Sequence, residues 1–350
     1  KGLIFMIDWL SGKAYFMHTT EQLYSGSVVS IDSNGEIEWK TNKRIQVKGS
    51  YDSTFAIRTD PTSEQLPGVF TRIEFSGNPV KFIQGHNVWG SSDLTGLAYE
   101  AIVKALASLG LKLSDQENVF LFDGGFSLSR VDVNNMYSMG SADNVNQWIS
   151  SAEHSARTRM GKGHFSGNTL YFQKKSTRWS LKFYSKGLEL KATGHQLPRE
   201  FFKAEPFHEF AADKLRAELT LRTKELKKLG LDKGAAWGDN EPNDVFIDYM
   251  GRLEMSEQKQ LDELLLTLPS FLKSTYLTWK EGYDVKSILP KPTFYRHRKK
   301  LLEHGVDISI PSGNKPNNVI PLMRVIEAVP ADIPEWAHGT EYYFEPRKAL

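Results

Sequence analysis

No cysteine occurs in the 350 residues, so disulfide frameworks, thiolate zinc sites and cysteine nucleophiles are excluded. The chemistry must come from oxygen and nitrogen side chains. No charge of one sign dominates either: Lys+Arg number 44 and Asp+Glu 42, a formal net charge of +2. The total therefore gives no argument for nucleic acid or membrane, and only local clustering can. A long hydrophobic run is also missing. The most apolar opening stretch, Leu3 to Ile7, is broken by Asp8 and falls far short of the roughly 20 residues a membrane span needs. With no signal-peptide pattern after it, the expectation is a soluble cytoplasmic protein with no membrane partner. What is present, 40% hydrophobic and 25% charged residues, is ordinary globular composition with length for roughly two domains.

Alternating apolar residues in Phe55–Arg58 and Val69–Phe75 predict strands, and the spacing of Leu94, Ala98, Ile102 and Leu106 predicts a helix after them. Val119 to Val133 reads as one or two strands around Gly124-Gly125. A helix fits Asn144 to Ala156, capped by Asp143. Asn168–Lys174 and Arg178–Glu189 predict an antiparallel hairpin about a polar turn, and Lys214 to Leu226 opens as another alternating run ending near Gly230. The expected fold class is α+β, with an antiparallel-sheet domain over residues 1–233. The turn-rich stretch Gly234 to Asp244 marks a boundary. Beyond it Leu261, Leu264, Leu265, Leu268 and Phe271 are spaced for a packed helical face, and Gly282 and Pro290 to Pro292 separate two short helices. These predict a smaller helical, helix-turn-helix-like domain over residues 234–350.

Three patterns carry chemistry. Tyr184 and Lys186 sit two apart in an expected strand and so share a face. A phenol can attack a DNA phosphodiester and hold its 5′ phosphate, and an ammonium beside it lowers the phenol pKa and neutralises the phosphate. Tyr171 in the partner strand is an equal candidate on chemistry alone. Glu74, Asp132 and Glu218 each follow an arginine by two positions inside apolar strands. Gathered on one sheet face they would bind Mg2+ or Mn2+; as structural ion pairs with Arg72, Arg130 and Arg216 they would not. Asp8 is a fourth candidate. The loop Gln84–Asp93 precedes a helix and could receive a phosphate, with His86 and Asn87 as DNA contacts; a cap at Ser92 or Asp93 explains part of it. Finally, Thr293 to His304 forms an amphipathic helix whose Arg296, Arg298, Lys299 and Lys300 suit phosphates or base edges, or else a solvated basic face.

Several segments together resemble the replication initiators of filamentous bacteriophages, the gene-two or gene-X type, in the branch that includes the cholera-toxin phage's initiator. They are Met6-Ile7-Asp8, Phe82 to Gly90 with Ser92-Asp93-Leu94, Ser129 to Asp132, Tyr184-Ser185-Lys186 with Glu189-Leu190, Arg216 to Glu218, Leu226 to Leu231, and Asn317 to Leu322. The resemblance implies a rolling-circle nickase that cuts the plus strand of a double-stranded phage origin. It implies Tyr184 as the covalent nucleophile, a 5′-phosphotyrosyl intermediate, a 3′-OH primer and later rejoining of the displaced single strand. Host helicase and DNA polymerase are implied as partners in the bacterial cytoplasm. The likeness extends to plasmid rolling-circle initiators and the HUH nickases, but no His-hydrophobic-His pair is present, so carboxylates would have to replace histidines at a metal. A DNA-binding regulator with a structural Tyr184, and a nuclease that hydrolyses with water, are the competing expectations.

Overall fold

In residues 214–222 Leu215, Ala217, Leu219 and Leu221 alternate with Arg216, Glu218, Thr220 and Arg222, a period of two that gives a strand one apolar and one polar face. The same alternation builds a whole sheet. The computed structural model describes residues 5–16, 23, 25–61, 71–198, 201, 204–238, 241–255, 264–265, 267–280, 282–310 and 331–345. Its elements begin with β1 (Met6–Phe16), β2 (Ser27–Ile31), β3 (Ile37–Asn42), β4 (Ile45–Lys48), β5 (Thr54–Pro61) and β6 (Thr71–Gly77). Next come α1 (Pro79–Gln84), α2 (Leu94–Ser108), α3 (Asp115–Phe122), β7 (Ser127–Ser138) and α4 (Ala142–Ser155). Short strands β8 (Ala156–Thr158), β9 (Gly161–Lys162), β10 (His164–Ser166) and β11 (Thr169–Phe172) lead to β12 (Trp179–Ser185), α5 (Lys186–Lys191) and α6 (Ala204–Ala211). The strand already described is β13 (Lys214–Arg222), followed by α7 (Thr223–Leu229), α8 (Glu241–Met250), β14 (Leu253–Met255), α9 (Ser270–Lys280), α10 (Val285–Ile288) and α11 (Lys291–Leu302).

Nine strands pair in the order β10-β11-β12-β13-β7-β1-β6-β5-β4, each neighbour antiparallel. The apolar face, including Phe75, Val131, Val133, Phe183 and Leu219, forms one core with the buried stripes of α2 and α4. The opposite face carries the charges. Cross-strand partners share a face, so Lys182, Glu218 and Asn134 form one polar row and Tyr184, Arg216 and Met136 the next. A register shift between Ile7 and Trp9 makes Asp8 the extra residue of a β-bulge in β1, a device that re-aims one side chain. A second, smaller core of Val88, Trp89, Leu190, Phe201, Phe207 and Ile333 sits at the Tyr184 end. Residues 331–345 return to complete it, Trp89 Nε1 and the Phe344 amide donating to the Tyr342 carbonyl and to Gln84 Oε1, respectively.

The α+β fold class is as expected; several boundaries are not. Val119–Phe122 is helical, because Ser114 and Glu117 close a capping box that starts α3. The cap of α4 is Ser141, not Asp143. Most consequentially, β12 ends at Ser185, whose hydroxyl accepts from the Leu188 amide and starts α5. Lys186 and Glu189 are therefore helical, and the strand-face relation expected of Tyr184 and Lys186 does not hold. The boundary expected at residue 234 also moves: Phe246, Tyr249 and Met250 of α8 belong to the main core, and β14 pairs with β8.

The separate helical cluster packs Leu264, Leu268, Leu272, Tyr276, Phe294 and Leu301. Leu261 and the segment Asn317 to Leu322 lie outside the described residues. Phe271, expected on the packed face, is 52% exposed. In α11, Arg298 is turned inward and forms a bidentate pair with Asp307 at 2.7 Å on both arms. Truncating Asp307→Ala removes both of those hydrogen bonds from the guanidinium, so the cluster is expected to lose about 1–3 kcal/mol. Hydrogen exchange across α9 and α11 measures it.

Candidate nucleic-acid cleavage site

The site grows from the polar end of β12 and β13. The Tyr184 hydroxyl donates to Glu218 Oε2 at 3.3 Å, while Lys182 Nζ lies 2.6 Å from Glu218 Oε1. Burial drives the phenol pKa well above its ordinary value; Arg216 pulls against this, and the Glu218, Glu189 and Asp8 charges add to it. Burial also raises the Glu218 carboxyl pKa, with Lys182 opposing and the neighbouring Asp8 and Asp132 charges reinforcing the rise. The phenol is thus protonated and hydrogen-bonded to a carboxyl whose own proton affinity is enhanced.

Arg216 is fully buried. Its Nη2 donates to the carbonyls of Asn87 and Val88, both at 2.7 Å, and Nη1 lies 3.8 Å from Asp8 Oδ1. Among the described residues its Nε and Nη1 have no hydrogen-bond partner. Asp8 accepts from the side-chain amides of Asn78 and Asn87 at 2.9 and 3.0 Å. Asn78 is also the cap of α1, its Oδ1 taking the Lys81 amide. Burial opposes ionisation of Asp8, but Arg216, Lys186 and Lys182 outweigh it and lower its pKa. Lys186 Nζ, with no exposed surface, donates to Asn87 Oδ1 at 2.9 Å and Glu189 Oε2 at 2.6 Å. Burial and the Arg216 charge bring its pKa down to about 8, against the pull of Glu189 and Asp8.

Several expected site residues take other roles. Lys182, not Lys186, is the ammonium beside Tyr184, lying 5.4 Å from its ring centre; Lys186 holds the loop that carries Asn87. Asn87 does lie at the site, bridging Asp8 and Lys186. Tyr171 also faces this side of the sheet, opposite Lys182, and packs against His164 and Lys174. Glu74 is three strands away from Glu218, paired with Arg58 and Lys13, so the three carboxylates do not gather. Asp132 is held by Arg130 at 2.8 and 2.5 Å. Arg298 is engaged with Asp307, as described; Arg296, Lys299 and Lys300 remain on the exposed side of α11, Lys300 reaching Glu303 at 3.2 Å.

His86 is no DNA contact in this arrangement. It is 1% exposed, its Nε2 lies 2.8 Å from the Tyr342 carbonyl and its Nδ1 accepts the Val88 amide at 3.2 Å. Burial lowers its pKa to about 3, the Tyr342 carbonyl opposing. The unfolded chain protonates this ring near pH 6.5, so it binds more protons than the fold as pH falls below that value. Stability present above pH 6.5 is therefore lost toward pH 3, by at most roughly 5 kcal/mol. His86→Gln should flatten that acid limb in denaturant titrations; an unchanged slope would assign the limb to other groups.

Among the described residues no three His, Asp or Glu side chains are grouped to hold a metal, and Asp8, Asp132 and Glu218 each already face a cation. As arranged, these donors do not fit a bound divalent ion. Nor is any described helix long and apolar enough to cross a membrane.

Comparison with known proteins places the chain in a family. Two family models match: Replication-associated protein G2P N-terminal over residues 6–240 and its C-terminal counterpart over 261–346. The replication-associated protein G2P of Enterobacteria phage I2-2 is 37% identical over 333 residues, covering 94% of this chain and 95% of the relative. That of Enterobacteria phage M13 is 24% identical over 318 residues, covering 75% and 76%. A solved rolling-circle replication initiator from Geobacillus stearothermophilus is 12% identical, covers 74% of this chain and 88% of its own, and superposes with a TM-score of 0.35, too low to bear on fold or function. With both parts matched and a relative spanning nearly the whole length, the chain belongs to the G2P family of replication-associated proteins.

Proposed function

We propose that this chain initiates rolling-circle replication by nicking the plus strand of a double-stranded phage origin, with Tyr184 as nucleophile. The observation that carries the reading is the Tyr184 phenol on the polar sheet face beside Glu218, Lys182 and an Arg216 with two unfilled donors. The phenol oxygen bonds to phosphorus as the P–O3′ bond breaks. Its proton passes to Glu218, and the departing 3′ oxygen leaves as a hydroxyl after taking a proton from solvent. Lys182 stabilises the charge on the phosphate oxygens, and the buried Arg216 charge, cross-strand from Tyr184, adds to the positive field. Lys186 is a positioning residue, acting through Asn87. The 5′-phosphotyrosyl bond replaces the broken phosphodiester, so the displaced strand can be rejoined without ATP.

Duplex origin DNA meets Arg296, Lys299 and Lys300 on α11. The free 3′-OH calls for a host polymerase, and the displaced single strand for a host helicase. A requirement for Mg2+ or Mn2+ is part of the proposal, but no step is assigned to the ion, since the carboxylates face cations.

The test is supercoiled DNA carrying the phage origin, incubated with either metal or with chelator. The expected products are open circles with protein bound to the 5′ end. Cutting without attached protein would indicate hydrolysis by water, and binding without cutting would indicate a regulator. Full activity in chelator would remove the metal from the account.

A further inference from the structure

The ribbon formed by β2 and β3 stands apart from the main sheet and exposes five large apolar side chains. Val28, Val29, Ile31, Ile37 and Trp39 are 40 to 63% exposed. A pair of strands alone cannot bury such residues, and apolar surface left open in this way marks an interaction site. The ribbon is nonetheless firmly built. Asp32 Oδ1 accepts the amides of Asn34 and Glu36, both at 2.9 Å, and the Ser30 hydroxyl donates to Glu38 at 2.7 Å. At the base Asn42 donates to the Thr59 carbonyl and Arg58 to Thr41.

We propose that this ribbon is a wedge for duplex DNA, its apolar sides entering between base pairs and opening the origin for the nicking site. Three observations choose DNA as the occupant. The base of the ribbon is cationic, with Lys40, Lys43 and Arg44 exposed, while the carboxylates Asp32, Glu36 and Glu38 lie toward the turn, Asp32 accepting two turn amides and Glu38 the Ser30 hydroxyl. Arg44 also lines a small cleft with Lys13, Glu74, Ser76 and Ser129, which places the base on the same polar sheet face as Tyr184. Finally, a two-stranded ribbon matches the width of a DNA groove, and inserted apolar side chains unstack base steps.

From the β5 end of the sheet to Tyr184 there are five strand spacings and about nine residues of register, roughly 35–40 Å, or about one turn of duplex at 3.4 Å per base pair. The wedge therefore opens base pairs about one helical turn from the nick. It acts as a binding element and touches no reacting atom.

This inference rests on the nickase reading, and its test separates the two. The double variant Ile37→Ser/Trp39→Ser changes only exposed side chains, and is compared with wild type on relaxed duplex origin and on a single-stranded origin oligonucleotide. Expected are an about tenfold or greater loss of nicking on relaxed duplex and unchanged cleavage of the oligonucleotide, which also shows that the variant folds. Permanganate reactivity of unpaired thymines is measured in parallel with Tyr184→Phe protein, with and without the ribbon substitutions, so that opening is read independently of covalent chemistry. Opening by Tyr184→Phe that disappears with the substitutions supports the wedge, even if no cleavage is seen with any protein. Equal nicking and equal thymine reactivity overturn it. So does equal loss on both substrates, or a change in oligomeric state that marks the ribbon as a contact between copies.

Discussion

Tyr184→Phe is expected to lower strand cleavage by about ten-thousandfold or more while leaving origin binding within about twofold of wild type. The substitution removes one oxygen. In the proposed reaction that oxygen is the attacking atom, and its loss leaves Glu218 still paired with Lys182, so stability should change by only about 1 kcal/mol. A denaturing gel of labelled origin strand, run with and without protease, reads both the cut and the attached protein. Tyr171→Phe is the control and should cleave normally, since the Tyr171 ring packs against His164 and Lys174 and among the described residues has no carboxylate partner comparable to Glu218. If Tyr184→Phe cleaves and attaches as wild type does, another phenol carries the reaction.

Arg216→Met should have the largest effect on stability. It deletes hydrogen bonds to the half-buried Asn87 and buried Val88 carbonyls and leaves Asp8 charged without its nearest guanidinium. Breaking a buried pair by removing one partner costs about 3–5 kcal/mol, because the survivor is left uncompensated. The complementary change Asp8→Asn should recover part of that loss, and a double-mutant cycle in denaturant gives the coupling. A loss under about 1 kcal/mol for Arg216→Met would show that the Asn87–Val88 loop holds without it.

The strands were legible wherever alternation was strict, as in β13, and the α11 surface was legible from its basic run. Tyr184 and Asn87 stood out for their residue types and surroundings. Lys182 alternates with Tyr184 and shares its strand face, whereas Lys186 lies beyond the Ser185 cap that ends the strand, a boundary that residue spacing alone does not mark. Arg216 read as an ion-pair partner of Glu218, whereas its reach to the Asn87 and Val88 carbonyls is set by the β1 bulge and the loop after α1, neither visible in local pattern. Glu74 repeats the Arg-x-Glu form of Glu218, yet strand order separates them, and topology is not written in a three-residue motif. His86 read as a contact because polar residues in loops usually face solvent; the returning segment that buries it begins nearly 250 residues later.

That returning segment bears on the timing of synthesis. Trp89 and Tyr342 are 253 positions apart, and a contact of such separation cannot form until the ribosome has made both ends of it. The nine-stranded sheet can assemble while residues 331–345 are still untranslated, leaving the loop that carries Asn87 without its backing. A nascent chain should consequently acquire its sheet before the backing of the Asn87 loop, so that, under the proposed nickase function, a polypeptide still being translated is poorly equipped to cut DNA.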